Sequence, residues 1–244
     1  MQLTVLSSGS HANAYLLKAK GSALLLDAGL PIATISRAVL FEDIQACLVT
    51  HEHQDHSRSA ADIARRGVTV ITSPGTASVL KLMHPFVHTI KAGQTMELRD
   101  WDIMAFDTRH DATDPIGFLL RYRPTQETIV YATDTYYLRY RFPGTHYWIV
   151  ECNYIDDVLY RQIEEGTLPE PLAVRLKKSH MSLNRLMEAL KANDLSETRK
   201  IVLVHLSDSR SDERKMIEAI EQATGKPTVA ASDGEIIDLE LTPF

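Results

Sequence analysis

The sequence predicts an α/β fold in which two β-sheets pack face to face and helices cover their outer sides. Three observations predict it. Short apolar runs of strand character and amphipathic segments of helical period are mixed over the whole length, not separated into an all-β and an all-α half. At 244 residues the chain can bury a substantial core, and residues 1–244 are expected to form one domain. Its composition, 44% hydrophobic and 24% charged, is that of an ordinary globular protein, with no repeat, linker or low-complexity segment to divide it.

Taken in order, strands are expected at 3–6, 14–17, 23–27 and 46–50, each a short apolar run between polar or glycine-containing turns. A helix over 58–66 would place Ala60, Ile63 and Ala64 on one face and stop at Gly67. A strand at 68–71 follows, and Ser73-Pro74-Gly75 opens a short helix. Further strands are expected at 95–98, 101–107, 116–122, 128–132 and 147–152. Beyond them the pattern turns helical, with helices at 155–165, 182–192 and 211–224. The apolar run 201–205, between the last two, reads as a buried strand.

Several function classes are excluded. No stretch approaches the roughly twenty apolar residues of a membrane span. Residues 1–6 lack a preceding basic segment and read as a first strand, not a secretion signal. Cys47 and Cys152 are the only cysteines; each lies in an apolar run and neither has a partner at zinc-finger spacing. A Cys-rich structural zinc site is therefore excluded, and buried thiols in a reducing cytoplasm are expected. A net charge of −6 argues against a surface coated by nucleic acid but allows a local basic groove.

The strongest chemical signal is His51-Glu52-His53-Gln54-Asp55-His56, which follows the apolar run 46–50 and precedes a helix. A loop between strand and helix lets ligands converge without disturbing the core. Imidazole and carboxylate suit zinc, manganese or iron, and the lack of thiolate argues against a soft-metal trap. Neighbouring Asp55 and His56 cannot easily share one ion with both His51 and His53, so the pattern points to two metals.

This run matches the HxHxDH signature at His51, His53, Asp55 and His56, and the chain resembles the metallo-β-lactamase-fold superfamily over nearly its whole length. The resemblance implies a four-layer αββα sandwich and two divalent metal ions. It implies that His51, His53 and His110 hold one ion, that Asp55, His56 and His205 hold the other, and that Asp134 bridges them. Asp27, ending an earlier strand, would brace the histidine loop. The intact histidine signature disfavours the iron-redox members, and the stretch between Asp134 and His205 is too short for a β-CASP insertion.

Within the superfamily the text is most similar to the WalJ/YycJ-type subgroup of DNA-directed exonucleases. The matching stretches are Ser7-Ser8-Gly9-Ser10, His110-Asp111-Ala112, Glu151-Cys152-Asn153-Tyr154, His180-Met181-Ser182 and His205-Leu206-Ser207. Ser179 and Ala12 depart from the subgroup, which usually has glycine at both places. The resemblance implies phosphodiester hydrolysis by a hydroxide held between the metals, oriented by Asp55 and Asp134. His180 is the candidate general acid or phosphate contact, next to the basic cluster Arg175, Lys177 and Lys178. Ser7, Ser8, Ser10 and Asn13 are candidate donors to a phosphate or 5′ end. Tyr136, Tyr137, Tyr140 and Tyr147, with Arg139 and Arg141, form an aromatic and basic mixture of the kind that tracks a strand. The expected partner is DNA with a single-stranded or 5′ end. The alternatives are a hydrolase of a thioester, lactone or cyclic phosphodiester, which needs a small closed pocket, and a metal-bound binding module with no open coordination position.

Overall fold

The computed structural model describes residues 1–207 and 209–240. The first six strands are β1 (Gln2–Ser7), β2 (Ala14–Ala19), β3 (Ser22–Leu26), β4 (Ile44–Leu48), β5 (Thr69–Thr72) and β6 (Val87–Thr89), and they lie in one sheet. The next seven form the second sheet: β7 (Thr95–Glu97), β8 (Trp101–Asp107), β9 (Ile116–Tyr122), β10 (Glu127–Ala132), β11 (Tyr147–Glu151), β12 (Lys200–Val204) and β13 (Thr228–Ala230). The last, β14 (Ile236–Asp238), returns to pair antiparallel with β1. Strand orders are β14-β1-β2-β3-β4-β5-β6 and β13-β12-β11-β10-β9-β8-β7.

Each sheet is antiparallel over one part and parallel over the other, with β3 to β6 and β10 to β13 running in parallel. Parallel neighbours cannot be joined by hairpins, so the chain crosses over, through the loop 133–146 between β10 and β11 and through helices elsewhere. These are α1 (Ile32–Ala38) after β3, α2 (Gln54–Ser57) and α3 (Ala60–Arg65) after β4, and α4 (Pro74–Val79) after β5. In the second sheet α5 (Asp156–Glu164), α6 (Glu170–Ser179) and α7 (Leu183–Lys191) link β11 to β12, and α8 (Glu213–Thr224) links β12 to β13.

Burial follows the strand period. Leu24 and Leu26 of β3 belong to a core shared by both sheets, with Leu48, Phe118, Tyr131, Ile149 and Val204. Leu25 points the other way and packs with Ile35 of α1 and Ala60 and Ile63 of α3. On the far side Val130, Trp148 and Leu203 pack against Leu186 of α7 and Met216 and Ile220 of α8. Strands covered on both faces must be apolar throughout, and every residue of β3 and β11 is buried. The layers are thus helix, sheet, sheet, helix, the αββα sandwich that the family resemblance implies. Both cysteines are free and buried. No helix among the described residues is long and apolar enough to cross a membrane.

The structure corrects the sequence expectations in places. The helix expected over 58–66 is present as α3, and an unexpected short helix, α2, precedes it from Gln54 inside the histidine motif. The helices α1 and α6 and the strands β6, β13 and β14 were not expected. These three strands have three residues each, too few to display alternation. In α6 only Ala173 and Ser179 are buried, while Leu172 and Val174 are exposed, so its apolar residues mark no single inward stripe.

Leu24 is fully buried between the sheets. Leu24→Ala should lower unfolding free energy by about 2–5 kcal/mol in equilibrium urea denaturation. A loss within experimental error would show that the sheets do not share this core.

Candidate metal centre

The site is built from strand ends. β1, β3 and β4 run the same way in one sheet, as do β8, β10, β11 and β12 in the other. Asp27 follows β3, the histidine motif follows β4, His110 follows β8, Asp134 follows β10, Glu151 ends β11 and His205 follows β12. Ligands bind open α/β sheets beyond the carboxyl ends of their strands, and all these residues lie there.

Three groups of potential donors result. His51, His53 and His110 form one, and Asp55, His56, Asp134 and His205 form a second; these are the two expected sets. Asp134, Glu151, His180 and His205 form a third that overlaps the second, and within each the donor atoms lie within 4.8 Å of one another. In the first, His53 Nδ1 is 3.1 Å from His51 Nε2 and 3.1 Å from His110 Nε2. Asp134 stands between the first two groups. Its Oδ2 is 3.3 Å from His110 Nε2, and its Oδ1 is 3.3 Å from His56 Nε2 and 3.5 Å from His205 Nδ1.

The partners of each ring decide which nitrogen is free. His51 Nδ1 lies 3.0 Å from the Thr50 hydroxyl, His56 Nδ1 lies 2.8 Å from Asp27 Oδ2, and His110 Nδ1 lies 2.9 Å from the Ser179 carbonyl. Each contact directs Nε2 toward the site, where the nitrogen offers a lone pair whenever the ring is neutral. Among the described residues, His205 Nε2 is buried with no hydrogen-bond partner; Asp55 Oδ2, at 3.9 Å, is too far to be one. Three converging imidazole nitrogens and one orphaned buried nitrogen beside carboxylates suit divalent cations, so these residues fit the metals that the fold implies.

Two fully buried carboxylates hold the framework. Asp27 accepts hydrogen bonds from the Thr50 amide at 2.8 Å, the Thr50 hydroxyl at 3.0 Å and the Tyr131 hydroxyl at 2.6 Å, besides its contact with His56. Glu151 Oε1 lies 2.7 Å from His180 Nδ1 and 3.1 Å from His205 Nδ1, while its Oε2 accepts from the amides of Thr135 and Met181. Sequence reasoning missed Glu151 as a site residue. Its signals are an acid closing the apolar run Tyr147-Trp148-Ile149-Val150 and its place at the head of the matching stretch Glu151-Cys152-Asn153-Tyr154.

Backbone contacts lock the loops together. Asn13 N donates to the Asp55 carbonyl at 2.7 Å and Ala28 N to the His56 carbonyl at 2.7 Å. Gly29 sits against this junction, where a Cβ would stand 1.7 Å from the Asp55 carbonyl oxygen. Asp27, Asp134 and His205 all have left-handed backbone, with φ of 57°, 48° and 55°. Such conformations cost about 1–3 kcal/mol outside glycine and persist where surrounding contacts fix them, often at functional sites.

Electrostatics divide the donors. Burial pulls His56 down, but Asp134 and Asp27 outweigh it and raise the ring well above its usual range. His205 rises to about 10 against the same burial penalty, through Asp134, Asp55 and Glu151. Burial opposes ionisation of Asp134, yet His205 and His56 hold it well below the usual carboxylate range. His51 and His110 are lowered, chiefly by burial. Two neutral histidines with free lone pairs therefore face a set in which protons sit between carboxylates, and cation uptake by that set releases protons.

The remaining expected residues separate. His180 lies at the site, its ring centroid 5.3 Å from those of His110 and His205. Ser7, Ser8 and Asn13 serve the frame. Ser7 bonds Asp233, Ser8 Oγ accepts from Tyr15 OH and the His205 amide, and the fully buried Asn13 amide reaches Gly9 and His56. Ser10 is exposed. Tyr147 is not beside the site: it is buried at the start of β11, bonded to Glu127. Tyr140 and Arg139 turn to Asp107. Tyr136 lines a cleft of about 510 Å³ next to His110, with Arg175, Lys177, Lys178 and Arg185 in its wall.

Comparison with known proteins agrees with this geometry. The Beta-lactamase superfamily domain profile matches residues 23–206. The chain is 29% identical over 225 residues to the exodeoxyribonuclease WalJ of Streptococcus pneumoniae, covering 84% of this chain and 81% of that protein. It is 26% identical over 224 residues to the exodeoxyribonuclease YycJ of Bacillus anthracis, covering 85% and 83%. Among solved structures, the metallo-beta-lactamase fold protein YhfI from Bacillus subtilis superposes with a TM-score of 0.73 at 15% identity, over 97% of this chain and 98% of that one. With its profile match, its αββα layers and its His/Asp clusters at the strand ends, the chain belongs to the beta-lactamase superfamily, has the metallo-β-lactamase fold and is a relative of WalJ and YycJ.

Proposed function

We propose that residues 1–244 form a metal-dependent exonuclease that hydrolyses DNA phosphodiester bonds from a 5′ end, in the cytoplasm, with two divalent cations, manganese or zinc. The observation that carries this is the juxtaposition of two donor groups around Asp134 with a cleft walled by Arg175, Lys177, Lys178 and Arg185. The chain's net charge is −6, so a cationic wall beside the donors is a local feature suited to a polyanion. The two exodeoxyribonuclease relatives support the same substrate.

His51, His53 and His110 would hold one cation, and Asp55, His56 and His205 the other, with Asp134 between them. Two such cations supply Lewis acidity, lowering the pKa of water and neutralising charge on a phosphoryl group. Asp55 and Asp134 orient the attacking water. His180 has Nδ1 fixed by Glu151, which leaves Nε2 to protonate the leaving oxygen. Burial opposes a charge on His180, but Glu151 raises its pKa, so the proton is available near neutral pH. Ser10, exposed on the loop after β1, contacts the incoming phosphate. A thioester, lactone or cyclic-phosphodiester hydrolase on the same donors is the second reading, and it would require a small closed pocket.

End-labelled DNA and RNA, a thioester and a β-lactam, each incubated with the metal-loaded protein, distinguish these. Cleavage of DNA is expected; turnover of only the small molecules would overturn the nuclease assignment. His180→Ala should reduce turnover by about 10²–10⁴-fold without changing bound metal measured by plasma mass spectrometry, and unaltered turnover would exclude the acid role. Asp134→Ala should lose metal and activity together. Asp27→Asn removes the acceptor that orients His56 and should weaken metal affinity by about 10–100-fold; titration against a competing chelator measures it.

A further inference from the structure

We infer that Glu52, the residue between His51 and His53, is a positioning residue: with the start of α4 it straps the loop 108–115 and so sets His110 against the other two histidines. This rests on the reading that His51, His53 and His110 hold a cation, and it is independent of the substrate.

The first donor group is assembled across the two sheets. His51 and His53 follow β4 of one sheet, and His110 follows β8 of the other. Imidazoles hold a cation tightly where contacts behind them fix their placement. His51 is set by the Thr50 hydroxyl at 3.0 Å. His110 stands on a stretch, 108–115, that has no helix or strand of its own. Its place therefore depends on what that loop is tied to.

The ties divide at His110. Before it, Arg109 is bound to the second sheet's own loop: its amide donates to the Thr135 hydroxyl at 2.9 Å, and its carbonyl accepts from the Tyr136 amide at 3.0 Å. After it, the ties cross to the first sheet. The Thr113 amide donates to Glu52 Oε1 at 2.7 Å, the Gly75 amide to Asp114 Oδ2 at 3.0 Å, and the Ile116 amide to the Thr50 carbonyl at 3.0 Å. Glu52 Oε2 accepts from the hydroxyl of Thr76, a buried residue of α4, at 3.3 Å. One carboxylate thus joins the histidine motif, the His110 loop and α4. The helix leaves the loop no slack, because a Cβ at Gly75 would stand 2.3 Å from Asp114 Cβ. Glycine permits that approach.

A carboxylate that accepts hydrogen bonds is commonly local turn chemistry. Both partners of Glu52 are remote, however, at 24 and 61 positions along the chain. They bracket the pair of donors that must meet across the sheets: Glu52 adjoins His53, Thr113 follows His110 on the same loop, and His53 Nδ1 is 3.1 Å from His110 Nε2. In the second group His56 is held by Asp27 and His205 by Glu151. Loss of the strap should therefore fall on one cation and spare the other.

The test titrates zinc against a competing chelator in the wild type, Glu52→Ala, Glu52→Gln and Gly75→Ala, and in His53→Ala with and without Glu52→Ala. The wild type should take up two equivalents. Glu52→Ala should weaken one of them by about 10–100-fold, as loss of a contact behind a metal ligand does. Glu52→Gln keeps an acceptor for the Thr113 amide and should restore the wild-type value. Gly75→Ala, which displaces Asp114, should reproduce the loss. His53→Ala should retain one equivalent, and adding Glu52→Ala should leave it unchanged, since the two substitutions act on the same group. If Glu52→Ala weakens both equivalents alike or neither, if Glu52→Gln falls as far, if Gly75→Ala changes nothing, or if the equivalent left in His53→Ala is also lost, the strap is wrong and the two-cation reading stands. If the wild type takes up fewer than two equivalents, both fall.

Discussion

The buried Asp27 carboxylate is the interaction on which the rest of the site depends. It ends a strand of one sheet and accepts a hydrogen bond from Tyr131 of the other, so it ties the two sheets where their strands deliver ligands. An ionised carboxylate in a dry interior is costly unless every lone pair is engaged. Here Thr50, His56 and Tyr131 engage it, and each of these bonds also positions something else. Thr50 passes the constraint to His51, and His56 is set with Nε2 toward Asp134. One buried charge thus orients a member of each of the first two donor groups.

Glu151 does the corresponding work on the second sheet. It too is fully buried at a strand end, and it holds two rings, His180 and His205, while bonding the amides of Thr135 and Met181. The left-handed backbone at Asp27, Asp134 and His205 fits this picture. Each strand must turn sharply after its last ladder residue to present a side chain inward instead of continuing the pleat. A non-glycine residue adopts that turn at a cost, and the carboxylate–histidine network supplies the contacts that keep it there.

How much was legible in the sequence follows from how local each signal is. The motif at 51–56 packs four donors into six residues, and a polar residue closing an apolar run marks Asp27 and His205 in the same way. Glu151 has that same signature, but its role depends on His180 and His205, which approach it only through the crossover of α5, α6 and α7. Ser7, Ser8 and Asn13 looked like substrate donors because hydroxyls and amides in a turn are free by default; only the folded loops show Asp233, Tyr15 and Gly9 meeting them. Tyr147 was grouped with Tyr136 by sequence proximity to Asp134, yet a parallel strand carries its ends to opposite edges of the sheet. The mixture of strands and helices was visible in the sequence, but the four-layer αββα order came from the family resemblance; of the three-residue edge strands, β7 was expected and β6, β13 and β14 were not.

The helix hardest to see in the sequence joins the chemistry to the groove. α6 has a small core of its own with Tyr154, Leu159 and Leu168 about Ala173, so burial alone anchors it weakly. Its position is fixed instead by polar ties at its end. His110 bonds the Ser179 carbonyl, Arg185 bonds the Lys177 carbonyl, and His180 meets Glu151. The residues that register α6 are therefore the metal-facing histidine, a cation of the cleft wall and the proposed acid. A shift of this helix would move the cationic wall and the His180 proton together, and His110 would lose the contact that orients its ring. Mobility that would be tolerated in an ordinary surface hairpin is restrained here by the same atoms that face the reaction.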